Sequence, residues 1–415
     1  MSPPGAEAVR QAVRLLRAHR VRALLTLFGL AWGTAAVIFL VSWGEGVVVM
    51  LERGFFRAGK NMGEVWTGVV SEEFTPAMDR RYLWYTMEDV AAVRKRARLP
   101  LIVGGEAWEM LPAAFGQRAL NVDVRGIEPE VMEIRGVSVV AGRGITRSDV
   151  SHRRRVVVLG DKVRRRLLGP RGAVGSWIRL AGRPFRVVGL LEEVGTQLSR
   201  DRLEIDEHVW IPISTLQATW PRWWTDELVV TKILYTLSDR RLLFETEAEV
   251  RSILADRLGV PPQDEEAIPI WSSLKMLNKL PLEETRGLLF VLAAATLLIG
   301  GIGVLNMMLD SVYERRTEIG TRLAIGARRR DIVAQFFVET FAVTALGGLA
   351  GAALGVGGCL FLGSLEVPDL IPIPRLRAEI VVLALSILGG VGLVAGVVPA
   401  WRASRVDPAA SLRME

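Results

Sequence analysis

The chain has 415 residues, 50% of them hydrophobic and 23% charged, with a mean hydropathy of +0.29. That balance excludes a disordered chain and an ordinary soluble enzyme. The single cysteine excludes a disulfide framework and a Cys-rich metal site, and His19, His152 and His208 are too scattered to suggest a metal cluster. The formal charge of +7 fits nucleic acid, an anionic membrane surface or positive-inside loops, depending on where the charges fall.

In chain order, a basic amphipathic segment, residues 1–22, precedes an uncharged stretch at 23–44, long enough for a bilayer that needs about 20 residues. Its apolar core exceeds that of a signal peptide and no small-residue cleavage site follows, so it reads as an uncleaved anchor. Residues 45–286 read as a globular α/β domain. β-rich runs recur at 155–159, 177–180 and 185–191, bounded by Gly, Pro and Asp. Helical spacing is evident at 87–96 and 245–258. At about 240 residues this region can bury a core, expected as two subdomains. Residues 42–56 and 272–286 continue the flanking spans and are expected as stalk helices, with Pro281 leaving a flexible linker open for the second. Further spans are predicted at 287–309, at 332–365 (uncharged from 340) and at 380–401, joined by a segment at 310–331 and a short outer loop at 366–379, and followed by a tail at 402–415. The predicted fold class is an α-helical four-span transmembrane domain with a large extracytoplasmic α/β domain inserted between spans one and two.

Arginines set the orientation. Arg10, Arg14, Arg17, Arg20 and Arg22 precede the first span, Arg315, Arg316, Arg322, Arg328, Arg329 and Arg330 follow the second, and Arg402, Arg405 and Arg413 follow the fourth. The outer loop has only Arg375 and Arg377 beside Glu366, Asp369 and Glu379. The positive-inside rule then places both termini in the cytoplasm of a multi-pass protein of the inner (plasma) membrane, and long domains translocate largely regardless of charge. The basic balance needs no nucleic acid.

Few motifs carry chemistry. Gly54-Phe55-Phe56-Arg57-Ala58-Gly59-Lys60-Asn61 matches G-x-x-x-x-G-K, but Asn61 stands where a phosphate loop needs Ser or Thr for Mg²⁺, and no buried strand precedes it. It reads as a chance match, and no ABC signature is present. No G-x-S-x-G or H-E-x-x-H occurs, so no catalytic residue and no metal site is assigned. Asp206-Glu207-His208 reads as a surface turn and Cys359 as a packing residue inside the third span. Asn306 and Glu339 are polar groups in or near spans, and Glu339 is expected to meet headgroups or arginines. More such groups would be expected of a secondary transporter. Gly347, Gly351 and Gly355 repeat every fourth residue, as do Gly392 and Gly396, and Gly300, Gly301 and Gly303 crowd the second span. Such spacing lets helix backbones approach; packing within one chain is one reading, and a dimeric or partnered membrane unit is the expectation preferred here. Residues 314–332 interleave charges with Ile319, Leu323 and Ile325, and Gly326 is expected to end a short helix that presents apolar and ion-pairing groups to another protein.

The stretch LLIGGIGVLNMMLDSVYERRTEIGTRLAIGARRRDIVAQFFVET, residues 297–340, strongly resembles the second span, coupling segment and third span of MacB/FtsX-like ABC transporter permeases. RALLTLFGLAWGTAAVI resembles their first span, DVRGIEPEVMEIRGVSVVAGRGIT and HVWIPISTLQ their periplasmic core domain, and VVPAWRASRVDPAASLR their tail. The resemblance implies a dimer of permeases, two copies of one chain or two paralogues, working with ABC ATPase subunits. The ATPase contact would fall on Glu314, Arg315, Arg316, Glu318, Ile319, Arg322, Leu323, Ala324, Ile325, Gly326 and Ala327. Some members of the superfamily carry a fused ATPase; this chain starts about 20 residues before its first span, so a separate ATPase is expected. ATP and Mg²⁺ would then be bound by that partner, with no cofactor on this chain. An inserted subdomain is implied near 125–224. Trp32 and Trp43 depart from the aliphatic first span of relatives and are expected to alter its packing. Trp220, Trp223 and Trp224 form either an exposed patch or core.

The function implied is export of a drug, peptide or other envelope substrate, with a periplasmic adaptor and an outer-membrane channel as further partners beside membrane lipid. The alternatives are a non-transporting mechanotransmitter or scaffold controlling an envelope enzyme, a lipoprotein-extraction permease, and a membrane-anchored binding protein. Arg322→Glu is expected to abolish ATPase coupling and leave folding intact.

Overall fold

The computed structural model describes residues 20–57, 59–73, 81–169, 173–201, 204–221, 229–369 and 371–406. Most of the N-terminal segment, His19, Trp223, Trp224 and the tail from 407 lie outside these residues. The chain divides into two compact units, one of residues 1–50 with 281–415 and one of residues 51–280.

The first unit is helical. Helix α1 runs Arg20–Arg57 without interruption, so the stretch expected as a stalk, 42–56, is a direct continuation of the first span. Helix α2 is Leu282–Glu314, α3 Arg316–Ala324, α4 Arg329–Gly363 and α5 Ala378–Ser404. Before α2, a short helix, Ser273–Lys279, stops at Leu280, and Pro281 stands at the N-cap of α2. A proline there supplies no N–H to extend the preceding helix. The second expected stalk is therefore broken.

Four helices are long and apolar enough to cross a membrane. Their outward surfaces carry Leu25, Phe28, Ile299, Leu349, Val382 and Val394, all exposed. So much exposed hydrocarbon is untenable in water and natural in lipid. Trp32 is 61% exposed and stacks on Phe28, and Trp43 also points outward, so neither indole enters the helix packing as expected from the sequence.

The second unit is built on one extended sheet. Its strands are β1 Met62–Trp66, β2 Tyr85–Thr86, β3 Pro100–Phe115, β4 Arg118–Ile127, β5 Val139–Gly142, β6 Val156–Leu159, β7 Trp177–Leu180, β8 Arg183–Leu191, β9 His208–Pro212, β10 Val229–Val230, β11 Lys232–Leu237 and β12 Ile270–Ser272. The order β12-β1-β11-β3-β4-β9-β6-β8-β5 is continuous, with β2 and β10 paired separately. β7 pairs with both β8 and the end of β3, so β3, β4, β9, β6, β8 and β7 close into a ring. Closure removes the free edges of those strands, and Leu111, Val122, Val157, Ile178, Phe185 and Val209 belong to its buried core. The subdomain expected near 125–224 is therefore not a separately paired body. β3 begins before it and serves both the ring and the flanking strands β1, β11 and β12.

Two helices pack on this sheet largely as their spacing predicts. Met87–Arg96 begins with a capping box between Thr86 and Asp89, and Leu243–Leu258 ends on Gly259 in the left-handed region. Trp220 is partly buried, stacked on Phe185 with ring centroids 5.9 Å apart.

Candidate functional site

The segment between α2 and α4 folds as a helix because its apolar residues share one face. Ile319 and Leu323, four residues apart, turn inward, where Ile319 is buried with Val312 of α2, Ile332 and Phe336 of α4 and Ala403 of α5. Gly326, at φ +96°, stops α3, and α4 starts three residues later. The two apolar residues are thus not a free docking face, which corrects the reading that Ile319 and Leu323 await a partner.

Charge fixes the same face. Glu339, four residues after Gln335 on α4, is fully buried and accepts from Arg315 Nη1 at 3.1 Å on both oxygens. Gln335 also donates to Glu339, at 3.0 Å, and accepts from Arg322 Nη1 at 2.8 Å. Arg322 further pairs with Glu318 at 2.5 Å, and Glu318 with Arg315 at 3.2 Å. Glu339 is thus the inner anchor of a chain of contacts running Glu339–Arg315–Glu318–Arg322–Gln335. Arg322→Glu would set a second carboxylate against Glu318, so it is not a clean test of a partner contact.

The outward set is different. Glu314, Arg316, Ala324, Ile325 and Gly326 are exposed, Ala327 is half-buried, and Ile325 is 81% exposed just beyond the end of α3. Arg328, Arg329 and Arg330 follow, also exposed. An apolar side chain exposed just past a braced helix, with three exposed arginines following in sequence, is a surface that can bury against another protein.

Residues 23–253 match the MacB-like periplasmic core domain and residues 290–408 the FtsX-like permease C-terminal domain. The chain belongs to the MacB/FtsX-like permease family. The family's arrangement of four spans, with an extracytoplasmic MacB-like domain between the first and second, is the arrangement seen here. A macrolide export ATP-binding/permease protein MacB of Hyphomonas neptunium is 34% identical over 99% of this chain and 61% of its own length. A pyoverdine export ATP-binding/permease protein PvdT of Pseudomonas aeruginosa is 32% identical over 98% of this chain and 58% of its own. The chain thus spans about three-fifths of the length of these relatives. Among solved structures, the periplasmic region of MacB from Actinobacillus actinomycetemcomitans matches with a TM-score of 0.42 and 17% identity, covering 54% of this chain and 93% of that one.

In this MacB/FtsX-like permease the glycine stripes are used within the chain. A Cβ on Gly347 would lie 2.7 Å from Leu30 Cβ, one on Gly351 2.4 Å from the Ala31 carbonyl oxygen, and one on Gly355 3.0 Å from Ile38 Cβ. These three let α4 lie against α1. Gly392 and Gly396 face Thr344 and Thr340 at 2.8 and 3.3 Å, joining α5 to α4. The expectation that these stripes mark a dimer contact is therefore replaced by packing inside one bundle. Cys359 is buried in the same bundle, and Asn306 is exposed in a groove between α1 and α2 of about 450 Å³.

The sequence reading missed a buried ionic cluster in the outer unit. Lys232 on β11 lies directly across from Glu106 on β3, and Asp123 on β4 directly across from His208 on β9. Arg125 Nη1 donates to Glu106 at 2.6 Å and Nη2 to Asp123 at 2.6 Å. Arg135, just past the helix Pro129–Ile134, reaches Glu64 and Glu106 at 3.2 Å and Asp201 at 3.1 Å. Asp201 also pairs with Lys232, and with Arg125 at 3.3 Å. None of these side chains is more than 4% exposed. Burial opposes ionisation of Glu106 and Asp201, but Lys232, Arg135 and Arg125 outweigh it and hold both carboxyls well below the usual range. Burial dominates for Glu64, whose carboxyl is raised, and for His208, whose imidazole is held well below its ordinary value and so stays neutral. Asp206 and His208 are both buried, so this stretch is not the surface turn expected. Asp206 accepts from Val194 N and Gly195 N at 2.9 Å. No cluster of His, Cys, Asp and Glu suited to a metal is found among the described residues.

Proposed function

We propose that this chain is the permease of a MacB-type ABC transporter, which converts ATP hydrolysis by an ABC ATPase on a partner chain into movement of the extracytoplasmic domain, exporting a drug, peptide or other envelope substrate. The relatives named for macrolide and pyoverdine export support that substrate range. The observation that carries the reading is Ile325, 81% exposed beyond a helix whose other face is locked to α2, α4 and α5. A push on α3 is passed to the ends of those three helices through Ile319, Arg315 and Glu339. ATP and Mg²⁺ belong to the ATPase, and both termini lie on its side of the inner membrane. The working unit is a pair of permeases, joined in export by an adaptor and an outer-membrane channel.

Ile325→Asp tests this without touching the internal contacts of α3. Burying an isoleucine at a contact is worth about 1.5–3 kcal/mol, and a buried unpaired carboxylate costs more. With the permease in nanodiscs, binding of the ABC ATPase encoded beside it is expected to weaken by about a hundredfold. Insertion and thermal unfolding of the variant should match the wild type. Undiminished ATPase binding by the variant would remove Ile325, and with it this reading of α3.

A further inference from the structure

The buried charges of the outer unit are gathered by a segment with no regular secondary structure. Residues 192–201 run half-exposed over the unit's surface, yet Asp201 at the end has a fully buried carboxylate between Arg125, Arg135 and Lys232. At its start the segment is pinned by Asp206, which accepts from Val194 N and Gly195 N. Between these two anchors it crosses the end of α1. Leu198 N donates to the Gly54 carbonyl at 2.8 Å, and Arg57 Nη1 reaches the Thr196 carbonyl at 3.4 Å. Gly54 is the residue that permits the contact, because a Cβ there would sit 2.8 Å from Leu198 Cγ.

The cluster beneath is costly to build. Glu64, Glu106, Asp123 and Asp201 face Arg125, Arg135 and Lys232, and Asp123 Oδ1 and Arg125 Nε make no hydrogen bond among the described residues. An apolar core of the same volume is usually as stable or more so, so such a cluster is better explained by what it specifies than by stability. Here it specifies where a segment without regular secondary structure is held. Without Asp201, the three cations lose a carboxylate that all of them share.

We propose that residues 194–201 are a clasp that fixes the end of α1 to the sheet of the outer unit, latched by Asp201 in the ionic cluster. The clasp is the link by which displacement of α1 reaches the sheet, a role that rests on the transport reading above; the latch itself does not.

The first test uses the full-length permease alone in nanodiscs, followed by hydrogen–deuterium exchange. In Asp201→Asn, the amides of Val194, Gly195 and Leu198 are expected to exchange about tenfold faster or more, with the last turn of α1 loosened and β3, β4 and β9 unchanged. Leu198→Ala leaves every charge in place and should loosen the last turn of α1 while the Val194 and Gly195 amides stay protected. That second variant decides the matter if Asp201→Asn does not fold. Wild-type exchange across 194–201 and 54–57 in both variants overturns the clasp. In complex with the ATPase, Asp201→Asn should keep ATPase binding and lose the ATP-dependent change in the outer unit. If the wild type binds no ATPase, the transport reading fails while the exchange result on the permease alone still judges the clasp.

Discussion

Lys232 has no exposed surface, and its ammonium is held by Asp201 and, at 3.4 Å, by Glu106. In sequence it opens the run Lys232–Leu237, a short apolar-rich stretch whose one lysine gives no sign of being buried. Glu64, Glu106, Asp123 and Arg125 likewise lie in strands, and only Asn121–Arg125 alternates polar with apolar residues. Alternation reports that two faces differ, and it is silent on whether a loop or a helix later covers the polar one. Coverage comes from residues 192–201 and from Arg135, both distant in sequence, so the cluster could not be read from spacing. His208, buried against Asp123 with Nε2 at 3.7 Å from a carboxylate oxygen, gives the cluster a measurable pH dependence. Its folded value lies well below the ordinary 6.5. As pH falls through about 6.5 the unfolded imidazole binds a proton that the folded one refuses, so this contribution to stability is full above that pH and declines below it, by up to about 1.4 kcal/mol per unit. The raised carboxyl of Glu64 acts in the opposite sense, its contribution being lost as pH rises above the ordinary 4.5, so the comparison must be with a variant. Urea unfolding of the outer unit between pH 7 and 5, followed by tryptophan fluorescence, should show the slope in the wild type and a shallower one in His208→Asn. Equal slopes would mean that His208 is protonated in the fold.

At the scale of elements, the spans and their small-residue stripes were legible because a bilayer imposes length and composition. Which helix each stripe faces was not. Gly347, Gly351 and Gly355 could equally meet another chain or this one, since spacing fixes a face and leaves its neighbour open. The structure sets them on Leu30, Ala31 and Ile38 of α1. Gly351→Leu is therefore expected to separate α1 from α4, because the added side chain starts 2.4 Å from a backbone oxygen that has no rotamer to yield. Gly358→Leu, at a position with nothing within 4 Å of a Cβ, is the matched control. Thermal unfolding in detergent should fall clearly for the first and stay near wild type for the second. The inward half of α3 was hidden for a related reason. Ile319 and Leu323 have the composition of a docking face, and only the packing of α2, α4 and α5 shows that they are already covered, leaving Ile325.

On the scale of the whole molecule, hydropathy and charge carry the division into a helical unit and an α/β unit, and the long matches to a MacB-like periplasmic core domain and an FtsX-like permease domain bear out the family. The closed ring of strands was not legible. Pairing of β7 with β3 joins residues more than sixty positions apart, and local pattern holds no record of it. The continuity of α1 to Arg57 was legible, as was the threat of Pro281 to its counterpart, so one of the two connections between the units is an unbroken helix and the other is not.

The most direct measurement is hydrogen–deuterium exchange of the outer unit in nanodiscs containing the permease and its ABC ATPase, with and without ATP. ATP is expected to change exchange across 54–57 and 194–201 in the wild type and to leave it unaltered in Ile325→Asp. An outer unit indifferent to ATP while the bound ATPase turns over, or an ATP response that survives Ile325→Asp, would contradict a permease that works by passing ATPase motion outward.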